Sequence, residues 1–166
     1  MSTNVVRLER PARPIQPVFE EEHQLSFEFD TEQHNSKLAI AVMDTVHGAD
    51  LCRFIDEFSP KVALDMRFSI RFDVPGSSRN HIFRQLEKCR TLYSRAAVKW
   101  HDLSPSDFML NNAPISQRLN HELFERGETP LLVFVQKQTH AQLLHSFLNR
   151  QISKRETNDW SVVYCA

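Results

Sequence analysis

An open, doubly wound α/β sheet is what this chain of 166 residues predicts, and three observations carry that expectation. Five short apolar runs recur along it, and they read as strands covered on both faces rather than half-wet ones. Segments with apolar residues at helical spacing separate these runs, and the length suits one hydrophobic core. Hydrophobic residues at 41% with 12 Phe supply that core, and only 3 Gly exclude a collagen-like or glycine-linker chain.

The first strand is expected at 38–43, where Leu38, Ile40 and Val42 alternate with Ala39, Ala41 and Met43 and no polar residue intervenes. Leu51, Cys52, Ile55 and Phe58 then share one helical face, and Pro60 closes the segment. The second strand is 62–66. Ser78 precedes a helix expected over 79–95, with Ile82, Phe83, Leu86, Cys89 and Tyr93 as its apolar stripe and Arg84, Lys88, Arg90 and Arg95 on its other faces. The third strand is expected at 97–100. Ser104-Pro105-Ser106-Asp107 then joins a capping-type start to a Pro at the first helical position. A further helix over 114–126 places Ile115, Leu119 and Leu123 four apart, with Gly127 as its stop. A fourth strand at 131–135, a helix over 138–152 striped by Leu144, Phe147 and Leu148, and a fifth strand at 160–164 complete the pattern. Right-handed crossovers then give a single Rossmann-like sheet over 37–166, with five mainly parallel strands in the order 3-2-1-4-5 and helices on both faces.

The first 36 residues are different in kind. Residues 1–17 carry a net +2 with Pro11, Pro14 and Pro17, residues 18–36 carry −6, and the remainder carries +3. Such charge segregation with proline predicts a mobile tail. Within it Gln24, Leu25, Phe27 and Phe29 lie in a strand-like alternation, and residues 18–36 are expected to dock on another protein. The net charge of −1 excludes bulk electrostatic coating of nucleic acid, although the basic helix over 79–95 offers a local nucleic-acid surface. No apolar run approaches a bilayer span, and no membrane partner is expected. Three Cys at wide spacings and no apolar core of signal-peptide length near the start point to a reducing, cytoplasmic setting.

Ligands of doubly wound sheets bind beyond the carboxyl ends of the strands, so the residues that follow each strand are the ones to examine. After the second strand, Arg67 and Arg71 lead through Pro75-Gly76 to Ser77, Ser78 and Arg79 at a helix start, a composition suited to a phosphate or carboxylate. The plainer reading makes Ser77 or Ser78 a helix cap, Pro-Gly a turn, and the arginines partners of surface acids. After the third and fourth strands, His101, Asp102 and His140 are candidates for proton transfer. His140 and His145 are five apart and His121-Glu122 lacks a second His, so no metal is expected. The glycine signatures of nicotinamide, P-loop and serine-hydrolase sites are missing, and no cofactor is expected.

Leu64-Asp65-Met66-Arg67, the loop from Pro75 to Ser78, Arg79, Phe83, Tyr93 and a strand reaching His101 and Leu103 together resemble the bacterial domain-of-unknown-function family numbered 488. The resemblance spans about residues 37–165. It implies a Rossmann-like fold, a polar pocket, and a setting in nucleotide or nucleic-acid metabolism or mobile elements. The chain departs from the pattern at two places. Thr45-Val46-His47 stands where the family has Gly-His-Ser, and Thr139-His140-Ala141 where it has Cys-His-Arg. Two functions follow as expectations. One is an interaction module that keeps the fold and acts in a protein complex through residues 18–36. The other is a nucleotide- or phosphate-binding enzyme using Arg67, Ser77, Ser78 and Arg79 with His101 and His140.

Overall fold

The computed structural model describes residues 36–69, 71–72, 74–110, 112–155 and 160–165. The stretch through residue 35, with Gln24, Leu25, Phe27 and Phe29, lies outside the described residues. The elements in chain order are β1 (Ser36–Val42), α1 (Gly48–Phe58), β2 (Val62–Asp65), α2 (Arg79–Lys88), β3 (Leu92–Arg95), α3 (Pro105–Met109), α4 (Pro114–Asn120), β4 (Leu131–Val135), α5 (Gln138–Lys154) and β5 (Trp160–Cys165). A 3-10 turn at Trp100–Asp102 precedes α3, and a π-turn at His121–Glu125 follows α4.

All strand pairs are parallel, in a single sheet of order β3-β2-β4-β1-β5. This corrects the expected 3-2-1-4-5. Continuous apolar runs show that β1, β2 and β4 are interior, but they do not say which neighbours which, and right-handed crossovers allow both orders. Strand β4 takes the centre: all five of its residues are buried, with Val42 facing Val135 on one side and Asp65 facing Phe134 on the other. The crossover through α1 therefore passes over β4 to reach β2.

The sheet is covered on both faces. Ala39, Ala41, Ala63, Leu132 and Phe134 meet Leu51, Cys52 and Ile55 of α1 and Ile82 and Leu86 of α2. Leu38, Ile40, Leu64, Val133 and Val135 meet Leu119 of α4 and Ala141, Leu144, Phe147 and Leu148 of α5. Full burial of each such Leu, Ile or Phe contributes roughly 1.5–3 kcal/mol. The small Ala39, Ala41 and Ala63 let α1 and α2 approach their face closely.

A second correction concerns the end of α2. The helix stops at Lys88 instead of reaching residue 95, because Arg90 adopts a left-handed backbone with φ of 56°. Thr91 then donates its hydroxyl to Pro60 O at 2.7 Å, and Leu92–Arg95 pairs with β2 as the third strand. The predicted strand at 97–100 is the continuation of this chain: Ala96 N donates to Asp65 O and Val98 N to Met66 O before the turn at Trp100. The basic surface expected over 79–95 is broken up as a result. Arg84 and Lys88 stay on α2, whereas Arg95 sits on β3 and donates to Phe68 O. Lys88 pairs at 2.8 Å with Asp56 of α1, an acid of the folded domain.

Candidate functional site

Helices α1 and α2, which follow β1 and β2, cover one face of the sheet, and α5, which follows β4, covers the other. The chain thus leaves β4 on the side opposite to both neighbouring strands, which opens a crevice beyond its carboxyl end. Gln136 occupies the middle of this crevice. Its side-chain amide donates to the Asp44 carboxylate beyond β1, and its backbone O accepts from Asp44 N at 3.0 Å.

On one side of Gln136 lies a cleft of about 380 Å³. Its inner wall is the indole of Trp100, stacked on the His140 ring at 4.6 Å and 8°. The indole is fixed from behind, because Nε1 donates to Met66 O at 2.9 Å. Phe68, 58% exposed, meets the His101 ring edge-on at 6.4 Å across the mouth. The remaining wall is the start of α5, with Lys137 and Thr139. The amides of Gln138 and Thr139 precede the first bond of that helix, from His140 N to Lys137 O at 3.0 Å, and add the positive end of its dipole.

His140 is held neutral. Burial lowers its pKa, the Lys137 charge lowers it further, and Asp44 opposes both. Its Nδ1 accepts from Lys137 N at 3.4 Å, which leaves the proton of the neutral ring on Nε2. His140 therefore enters the site as a hydrogen-bond donor. His101 and His140 both line this cleft. Asp102 does not line it; its exposed carboxylate sits 3.0 Å from His101 Nε2.

The expected anion loop is divided by the fold. Arg67, 1% exposed, has its charge balanced inside the protein: Nε donates to Asp65 Oδ1 at 2.9 Å and Nη2 to Oδ2 at 2.7 Å. Nη1 donates to Arg71 O at 2.6 Å, and the guanidinium lies 4.1 Å over the Phe72 ring. Arg67 and Arg71 line a smaller cavity of about 300 Å³ on the other side of Gln136. Ser77, Ser78 and Arg79 do not line it. Ser78 caps α2 by accepting from His81 N at 3.3 Å, Ser77 is 3.3 Å from His81 Nδ1, and Arg79 lies 5.3 Å over Phe83. Ser78 is thus the helix cap of the plainer sequence reading, whereas Arg79 lies against an aromatic ring instead of a surface acid.

That loop is clasped to the start of α1. Gly48 N donates to Pro75 O at 2.6 Å, and a Cβ on Gly48 would come within 2.2 Å of the Ser77 Cβ. Gly76, with φ of 79°, lies against the His47 ring, where a Cβ would come within 2.0 Å. His47 in turn caps α1, accepting from Ala49 N at 3.3 Å.

Sequence reasoning missed Tyr93, whose hydroxyl donates to Asp65 Oδ2 at 2.6 Å. Burial first, then this carboxylate, raises its pKa, so the hydroxyl stays protonated. The signal was present in Asp65-x-Arg67, which places both side chains on one face of an extended segment. Tyr93 was concealed because it also fits a helical stripe. Phe68, Trp100, Lys137 and Gln136 were likewise unassigned, since their convergence depends on the strand order.

Among the described residues, no three His, Cys, Asp or Glu side chains group to hold a metal, and no helix is long and apolar enough to cross a membrane. The sheet and its crevice define an α/β protein of the doubly wound kind. No protein-family model, curated protein or solved structure matches the chain.

Proposed function

We propose that the protein binds a small ligand combining a planar ring with a phosphate or carboxylate, of which a nucleoside monophosphate is the representative chemistry. The single observation that carries this reading is the composition of the cleft beyond β4. The stacked Trp100–His140 pair, Phe68 and His101 supply aromatic surface, while Lys137 and the first amides of α5 supply positive potential. A cleft of about 380 Å³ is within the range for such ligands. His140 Nε2–H and the Gln136 side chain add polar contacts that would orient a ring. Arg67 has no part in this reading.

Isothermal titration with AMP, GMP and ribose 5-phosphate tests it. Saturable binding of a monophosphate is expected, about tenfold weaker in Lys137→Ala through loss of one charge-assisted contact. Ribose 5-phosphate, lacking a ring, should bind more weakly than AMP. No saturable heat with any of the three, or equal affinity in Lys137→Ala, would overturn it.

One observation favours the interaction-module reading instead: Arg67, the cation best placed by sequence to grip an anion, is neutralised internally. A partner protein retained from the native host by the full chain and lost on deletion of residues 1–36, with no ligand binding in the cleft, would decide for that module.

A further inference from the structure

The cavity of about 300 Å³ beyond Gln136 differs in chemistry from the Trp100 cleft beside it, and Gln136 is a wall of both. Asp44, Arg71 and Gln136 make its lining chiefly polar. Its charges cancel: Asp65 neutralises Arg67 through bonds at 2.9 and 2.7 Å, which leaves Asp44 against Arg71. Its hydrogen-bonding capacity does not cancel. The guanidinium of the exposed Arg71 has no partner among the described residues, and Asp44 spends one carboxylate oxygen, Oδ1, on the Gln136 amide. Among the described residues, Asp44 Oδ2 and Gln136 Oε1 remain open acceptors in the same wall as the open donors of Arg71.

Such a wall discriminates by what it leaves unpaired. An anion meets Asp44, a cation meets Arg71, and an apolar group strands both. A neutral group whose hydroxyls donate and accept satisfies all of them. Chain order decides what carries that group. Gln136 directly precedes Lys137 and the first amides of α5, so the place of the phosphate in the Trp100 cleft borders the polar cavity. We propose that the ligand is a nucleoside diphosphate sugar, with ADP-ribose as the representative chemistry. Its base lies in the cleft of Trp100 and His140, its pyrophosphate at the start of α5, and its terminal sugar against Asp44 and Arg71. This rests on the reading of the Trp100 cleft as a monophosphate site and extends it by one sugar.

Isothermal titration of the full chain and of Arg71→Ala with AMP, ADP and ADP-ribose tests the extension. ADP-ribose should bind about tenfold more tightly than ADP, through hydroxyl contacts with Asp44 and Arg71. Arg71→Ala should remove about that tenfold from ADP-ribose and leave AMP unchanged. The Arg71 side chain is exposed and only its backbone O holds Arg67, so the fold does not depend on it. AMP binding with no gain from the sugar, or ADP-ribose unaffected by Arg71→Ala, would overturn the extension and leave the monophosphate site standing. A loss in Arg71→Ala as large for ADP as for ADP-ribose would also overturn it, since the cavity would then take a phosphate. Binding of none of the three would overturn both.

Discussion

Replacing Asp65 with Ala removes the counter-charge of a guanidinium that has nowhere else to go. Asp65 is 0% and Arg67 1% exposed, and the carboxylate accepts four hydrogen bonds: Arg67 N, Nε and Nη2 at 3.0, 2.9 and 2.7 Å, and the Tyr93 hydroxyl at 2.6 Å. Stranding a buried charge by deleting its partner costs about 3–5 kcal/mol. Arg67 keeps its bond to Arg71 O and its contact with the Phe72 ring, which places Asp65→Ala near the lower end, at roughly 3 kcal/mol. Domains are stable by about 5–15 kcal/mol in all, so the midpoint of urea unfolding should fall markedly. Arg67→Met alone should cost less, because Asp65 retains the Tyr93 hydroxyl and a backbone N–H. The double variant should be more stable than the sum of the two losses implies, by about 2 kcal/mol, since neither charge is left alone. The assay is urea unfolding followed by far-UV circular dichroism for all four proteins. A loss below about 1 kcal/mol in Asp65→Ala, or strict additivity in the double variant, would refute the reasoning.

Tyr93→Phe removes one hydrogen bond to a buried carboxylate and should cost about 1.5–3 kcal/mol by the same unfolding measurement. Gly48→Ala sets a Cβ against Ser77 and should destabilise the domain by about 1–3 kcal/mol, read as a lower melting temperature. His140 binds its proton less tightly in the folded protein than in the unfolded chain. The unfolded state therefore takes up more protons as pH falls through the ordinary histidine value of about 6.5, and stability should drop there. Melting temperatures between pH 8 and 5 should show this slope, and His140→Gln should flatten it. Burial first, then the nearby Asp50, raises the Cys165 thiol pKa to about 11, and Cys52 is buried, so the half-buried Cys89 should be the first of the three to react with a thiol reagent at pH 8. Mass spectrometry of the partly labelled protein checks the order.

The strands were legible wherever packing on both faces demanded a continuous apolar run, as in Leu131–Val135, whose observed bounds match the predicted ones. Strand order was not, because three interior strands of similar composition satisfy the same burial in more than one arrangement. The boundary of α2 was hidden by a single residue, Arg90, whose left-handed backbone no side-chain pattern announces. In the site, residues following strands were readable from topology alone, and His101 and His140 line one cleft. Arg67 was misjudged because its partner lies two residues before it, within the strand. The Trp100–His140 stack joins residues forty positions apart and arises only once β4 lies beside β2.

Mapping a bound monophosphate onto backbone amides tests the cleft beyond β4 most directly. In a nitrogen-15 NMR titration with AMP, the amides of Gln138, Thr139 and His140 should shift saturably together with the Trp100 indole N–H. Saturable shifts confined to the loop from Val74 to Arg79, or no shifts at all, would contradict it.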